Sequence, residues 1–377
     1  MQVRKILFLT GTRADFGKIK GLISKLEETD GFEAFIFVTG MHMLHNYGYT
    51  LLEVERCGYK NIYTYNNHTH ESTMDLTLAK TIEGFSNYVK TIKPDLIVVH
   101  GDRVEALAGA IVGSLNNILV AHIEGGEISG TIDELIRHSV SKLSHIHYTA
   151  NEEAKHRLMQ MGELSESIFT IGSPDIDVMF SNALPQLSEV KGYYEIPFND
   201  YAVAMFHPVT TEVTTIAEDA LAFVDGLKNS HKNYVVIYPN NDLGSEAILN
   251  AYKALENNNK FKIFPSVRFE YFLTLLKHAQ FIIGNSSAGV REAPYYGIPS
   301  IDIGTRQRNR AKLSSVINCK CKAAEILKAI DEIALIKSEK MQIFGVGDSA
   351  TKFLKSLKSE ALWRINHQKQ FKDFDNA

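Results

Sequence analysis

The chain has 377 residues, a formal net charge of −4, 45% hydrophobic side chains and 22% charged ones. That length exceeds what one hydrophobic core usually holds, and the composition suits a globular protein, so two domains are expected. The acidic balance without a Lys/Arg block excludes the basic field that nucleic acid requires, and no run approaches the ~18 apolar residues of a membrane span.

The first apolar run, Ile6-Leu7-Phe8-Leu9, is too short for a signal sequence and reads as a strand, so a cytoplasmic location is expected. Strand-like runs fall at 4–10, 33–39, 95–100, 118–123, 145–149 and 168–172. Helical patterns separate them at 16–28, 74–91, 104–116, 131–143 and 152–162. Residues 181–200, with Pro185, Pro197 and scattered polar side chains, read as a linker. Beyond it, strands are expected near 201–206, 234–239, 261–264, 280–283 and 298–303, with helices at 213–229, 244–257, 268–279 and 323–335. Continuous apolar strands such as Leu96-Ile97-Val98-Val99 suit a parallel sheet covered on both faces, and repeated βα units make an α/β, doubly wound fold. The expected domains are 1–180 and 181–347, with an amphipathic tail from 348 that packs back onto the first.

In such sheets ligands bind outside the carboxyl ends of the strands, so chemistry should follow strands. After the first strand comes Gly11-Thr12-Arg13-Ala14-Asp15-Phe16-Gly17-Lys18, a turn with two cations, Arg13 and Lys18. It is neither a Walker loop nor G-x-G-x-x-G, which gives no sign of a nicotinamide cofactor. Asp102 and Arg103 follow the run 95–100, a pairing that also suits a salt-bridged turn. Glu124 precedes Gly125-Gly126, glycines that suggest close approach of a ligand. Asp133 lies near a helix start, where a carboxylate also serves as a dipole partner. Carboxylates gathered in one place tend to have their pKa values driven apart, as an acid and a base require. In the second half, His207, Asn240, Arg268 and Arg306 follow or flank strands. The run Asn285-Ser286-Ser287-Ala288-Gly289-Val290-Arg291-Glu292 follows a strand and precedes a helical stretch, a pattern that suits a phosphate or an ordinary capped turn. His145 and His147 read as structural. Cys57, Cys319 and Cys321 make neither a disulfide framework nor a zinc set and are expected to be ordinary thiols, and no metal site is expected.

Taken together, Gly11-Thr12-Arg13-Ala14-Asp15, Gly101-Asp102-Arg103, His122-Ile123-Glu124-Gly125-Gly126-Glu127, Arg137-His138-Ser139, Gly172-Ser173-Pro174, His207-Pro208-Val209-Thr210-Thr211, Asn285-Ser286-Ser287 with Arg291-Glu292, and Gly304-Thr305-Arg306 resemble the hydrolysing UDP-N-acetylglucosamine 2-epimerases of bacterial sialic-acid synthesis. The resemblance covers nearly the whole chain. It implies two Rossmann-like domains with a cleft between them, the glycosyltransferase-B arrangement, with UDP held mainly by the second. It implies catalytic carboxylates at Asp102, Glu124 and Asp133, and UDP or substrate contacts at Arg13, His207, Asn240, Ser286, Ser287, Glu292 and Arg306. The cations Lys18, Arg103 and Arg268, placed near strand ends, are further candidate ligand contacts. The resemblance further implies a UDP-sugar substrate, no cofactor, and a homodimer. Related non-hydrolysing enzymes place a Glu several positions beyond Asp133, where this chain reads Ile136-Arg137-His138, a departure that favours the hydrolysing branch. Two alternatives stay open on the same UDP motifs. One is a UDP-2,4-diacetamido-2,4,6-trideoxy sugar of legionaminic-acid synthesis as substrate; the other is a glycosyltransferase.

Overall fold

The computed structural model describes residues 3–68, 73–129, 132–181, 184–307, 313–336 and 338–373. The chain divides into two compact units. One comprises Met1–Glu127, Asp133–Ser181 and Ile343–Ala377; the other comprises Ile128–Ile132 and Asn182–Gln342. Among the described residues no helix is long and apolar enough to cross a membrane.

In the first unit β1 (Arg4–Thr10) runs through α1 (Arg13–Glu27) to β2 (Phe32–Val38), then α2 (Leu51–Glu55) and β3 (Ile62–Thr64). The helix α3 (Met74–Ile92), β4 (Leu96–His100), α4 (Val104–Leu115) and β5 (Leu119–Ile123) follow. The unit continues with α5 (Ile132–Leu143), β6 (Ile146–Thr149), α6 (Glu152–Gln160), β7 (Ile168–Thr170) and α7 (Pro174–Met179). Its strands lie parallel in the order β3-β2-β1-β4-β5-β6-β7. Every residue of β4 and β5 is buried, as a sheet covered on both faces demands.

The second unit begins with α8 (Leu187–Tyr193), inside the stretch expected to be a linker. Then come β8 (Ala202–Met205), α9 (Ile216–Asn229), β9 (Tyr234–Ile237), α10 (Ser245–Tyr252), β10 (Phe261–Phe264) and α11 (Phe269–Lys277). It ends with β11 (Ile282–Gly284), the single turn α12 (Ala293–Tyr296), β12 (Ser300–Ile303), β13 (Val316–Cys319) and α13 (Ala323–Ile333). These strands are also parallel, in the order β10-β9-β8-β11-β12-β13. The edge strands β3 and β13 were not expected, nor were the short helices α2 and α7; the helical stretch expected after 285–292 is the single turn α12.

The tail expected from 348 forms α14 (Ser349–Leu357) and then a 3₁₀ turn at Leu362–Arg364. Within the first unit the fully buried Phe353 meets Phe8 and Tyr148, with ring centroids 6.3 and 5.0 Å away. A buried Phe is worth about 3–5 kcal/mol against truncation, whereas the 2.7 Å Tyr148–Ser356 hydrogen bond is worth about 1 kcal/mol. Apolar packing therefore anchors α14.

In both sheets the strand order reverses once, between β1 and β4 and between β8 and β11. Loops leaving the carboxyl ends on either side of such a point diverge and leave a crevice. At the second reversal Gly284 has φ +136°, and a Cβ there would lie 1.8 Å from the Met205 carbonyl oxygen. Its register partner Asp302 is 5% exposed; burial pushes its carboxyl up to about 7, against the pull of Arg306.

Gly284→Ala is expected to destabilise the second unit by at least ~3 kcal/mol, from backbone strain plus overpacking. Chemical denaturation checks this, and a loss under ~1 kcal/mol would contradict the clash. Asp302 has a folded pKa above its unfolded one, so its contribution is intact below about pH 4 and fades as pH rises towards 7. Asp302→Asn should therefore raise the thermal midpoint at pH 8 and match wild type at pH 4. An offset independent of pH would disprove the burial argument.

Candidate functional site

The first crevice is built on a stiff turn after β1. Asp15 accepts from Thr10 Oγ1 (2.5 Å), Gly11 N (3.0 Å) and Thr12 N (3.0 Å), and Thr12 Oγ1 caps α1 by accepting from Asp15 N. Because Thr10 donates to Asp15, it accepts from His42 Nε2 (3.1 Å), whose Nδ1 accepts from Thr50 Oγ1 (2.8 Å). Burial drives His42 down to about 4, so its ring is neutral and links Thr10 to Thr50. Arg13 opens α1, half-buried, with a guanidinium nitrogen 4.0 Å from Glu53.

Lys18, one turn further along α1, reaches Glu124 and Asp175, each at 3.8 Å. Glu124 also lies 3.4 Å from His100 Nε2, and it holds a left-handed backbone, φ +74°, where non-glycine residues are strained. Asp102 begins the turn after β4 and pairs with Arg137 of α5, which is wholly buried. Asp133 sits in the first turn of α5, partly exposed and on the helical face of Arg137 four residues on. Between these groups His122 donates from Nε2 to the Gly101 carbonyl (2.8 Å) and accepts at Nδ1 from Ser141 (3.0 Å). Burial takes its pKa to about 3, so His122 is a neutral strut beneath the Asp102 turn.

Asn285 organises the second unit's crevice. Its side-chain oxygen accepts from His207 N (2.7 Å) and its amide donates to His207 O (2.8 Å). Its own carbonyl accepts from Arg306 (3.2 Å) and Gln307 (2.9 Å), so one residue ties together the loops after β8, β11 and β12. Asn240 N donates to His207 Nδ1 (3.1 Å), which leaves Nε2 of the neutral ring carrying the proton. His207 is thereby set as a donor. Ser286 caps the 3₁₀ turn Ser287–Gly289 by accepting from Ala288 N (3.3 Å), and both serines are half-buried. Glu292 precedes α12 and is 3% exposed. Arg268 joins a different cluster, its guanidinium 4.7 and 5.3 Å from the rings of Tyr193 and Tyr271.

Several expectations need correction. No helix of useful length follows Asn285–Glu292, so the run offers no helix dipole; its polar groups are loop N–H groups and the hydroxyls of Ser286 and Ser287, with Arg306 held on the Asn285 carbonyl. Asp102 pairs with Arg137 and not with Arg103, which lies 3.4 Å from Glu105. Gly126 is required by the protein itself, and Gly125 sits in tight contact with its neighbours. A Cβ at Gly125 would come within 3.0 Å of His122 and Ser141, and one at Gly126 within 2.1 Å of the Ala154 carbonyl oxygen. His145 precedes β6 and does not lie in it, although both it and His147 are buried as structural residues should be. The sequence reading missed His100, Asp175 and Gln307. His100 ends a buried strand and Asp175 follows Gly172-Ser173-Pro174, positions that signalled proximity to the crevice but no chemistry. Among the described residues no group of three or more His, Cys, Asp or Glu side chains is disposed to hold a metal ion.

Residues 24–358 match the family UDP-N-acetylglucosamine 2-epimerase. A protein of Neisseria meningitidis serogroup B called UDP-N-acetylglucosamine 2-epimerase is 48% identical, covering 99% of this chain and 100% of its own length. The UDP-N,N'-diacetylbacillosamine 2-epimerase (hydrolyzing) of Legionella pneumophila is 31% identical over 88% of this chain and 89% of that one. In fold, the chain is similar to the Methanocaldococcus jannaschii UDP-GlcNAc 2-epimerase crystallised with UDP-GlcNAc and UDP. There the TM-score is 0.82 at 24% identity, over 94% of this chain and 99% of that one. With two doubly wound units, carboxylates at the strand reversal of one and a serine-rich loop at that of the other, the chain belongs to the UDP-N-acetylglucosamine 2-epimerase family.

Proposed function

We propose that this protein hydrolyses UDP-N-acetylglucosamine with inversion at C2, releasing UDP and N-acetylmannosamine. The observation that carries the reading is the placing of Asp102 and Glu124 at the ends of the adjacent strands β4 and β5. Inverting a carbon takes one group to remove a proton and another to deliver one from the opposite face. The hydrolysing Legionella relative supports release of the nucleotide.

In this reading the C1–O bond breaks and its electron pair leaves with UDP. Positive character at C1 acidifies the C2 proton, a carboxylate removes it, and a glycal forms. Water then adds at C1 while a different acid protonates C2. Asp102, Glu124 and Asp133 supply these transfers. Lys18 and His100 fix Glu124, and Arg137 fixes Asp102. The charge growing on the departing diphosphate is met by Ser286, Ser287, loop N–H groups, His207 Nε2–H and Arg306, donors set before the reaction begins. Arg13, Arg103, Asn240, Arg268 and Glu292 complete the proposed ligand contacts. A second reading, UDP-N,N'-diacetylbacillosamine as substrate, is favoured by the Legionella relative. Identity of 48% to the Neisseria enzyme against 31% ranks it lower.

Incubation with each UDP-sugar alone is expected to release UDP and N-acetylmannosamine from UDP-N-acetylglucosamine, whereas a glycosyltransferase would leave it nearly intact. In heavy water the product should carry deuterium at C2; its absence rules out elimination. Asp102→Asn and Glu124→Gln should each lower turnover roughly 100-fold or more with UDP binding retained. Near-normal turnover in either would remove that residue from the proton transfers.

A further inference from the structure

The C-terminal segment beyond α14 enters a partly buried ionic cluster remote from the proposed chemistry. Lys369 Nζ donates to Glu163 (2.6 Å) and to the Ser144 and Ser141 carbonyls (2.6 and 3.3 Å), the last turn of α5 and the residue just past it. Glu163, itself 2% exposed, also accepts from His147 Nε2 and Lys142, each at 2.8 Å. Two residues earlier, the His367 carbonyl accepts from His145 Nε2 (3.0 Å), and the His367 ring contacts the Asn117 carbonyl at 2.7 Å. The segment thus grips the α5 end, the entry to β6 and the turn before β5.

The gripped helix carries two separate links to the Asp102 turn. Ser141 gives its carbonyl to Lys369 and its hydroxyl to His122, which holds the Gly101 carbonyl. Arg137, one turn earlier on the same face, pairs with Asp102. A cation among the final carbonyls of a helix is favoured by the exposed ends of its peptide dipoles. We infer that Lys369 is a positioning residue: by capping α5 and closing the Glu163 cluster it fixes α5, and through Arg137 and His122 it fixes the carboxylate of Asp102. The inference rests on the reading of Asp102 as a group that acts on the sugar.

The test combines Lys369→Met, Lys369→Gln and Lys369→Arg in the full-length protein. Turnover of UDP-N-acetylglucosamine, UDP affinity by calorimetry, and hydrogen–deuterium exchange of the segments 99–105 and 132–143 are followed. The Met and Gln variants should lose roughly 10-fold in kcat, since small misplacements of catalytic groups cost that much or more. Their UDP affinity should stay within about twofold of wild type, and Arg, which keeps the charge, should recover most of the activity. Exchange should rise in 99–105 and 132–143 and not in 202–237. Unchanged kcat and exchange in the Met and Gln variants, or equal loss of kcat and UDP affinity, would overturn the inference. If Met does not fold, the Gln variant decides alone. Wild-type protein without turnover, but with the exchange response intact, would instead sink the functional reading and leave the mechanical link standing.

Discussion

The handedness of the β–α–β crossover governs this molecule. A parallel strand can be reached from its predecessor only by a right-handed connection, so a sheet with helices on both faces must reverse its strand order somewhere. Each unit does so once, and the residues with chemical character gather at those reversals. Glycines and Asp15 shape the turn after β1, and Asp102 follows β4. His207 follows β8, and Asn285 follows β11. Neither crevice needs a special local motif, because topology alone places the loop ends side by side.

Given that frame, the two crevices are stiffened differently. In the first, polar and charged side chains constrain one another: Lys18 and the His100 ring bracket Glu124, and Arg137 bears on Asp102. In the second, a single amide, Asn285, holds the His207 backbone with its side chain and the loop after β12 with its carbonyl. The carboxylates of the first unit sit among polar and charged side chains, while the loops of the second hang on one neutral amide.

Much of the frame was legible in the sequence because its strands are buried on both faces. The apolar runs ending at His100 and Ile123 announced themselves, and the carboxylates just past them followed. The edge strands β3 and β13 did not, since they are short and their residues are half-buried or exposed. The helix α8 hid between Pro185 and Pro197 because only Val190 of its residues is fully buried, too narrow a stripe to give a period. The partnership of Asp102 with Arg137 spans 35 residues and that of Glu163 with Lys369 spans 206. No local pattern encodes such pairs. The glycines after Glu124 misled for a related reason: their neighbours, Ser141 and Ala154, arrive from later helices.

The left-handed backbone at Glu124 also bears on how this site can change over generations. A side chain there strains the chain, and glycine would relieve that strain while deleting the carboxylate. Backbone strain and the ion pair with Lys18 therefore pull this position in opposite directions. Glycine at 124 would ease the backbone but take a counter-charge from the buried Lys18 ammonium, so substitution there is costly on either count.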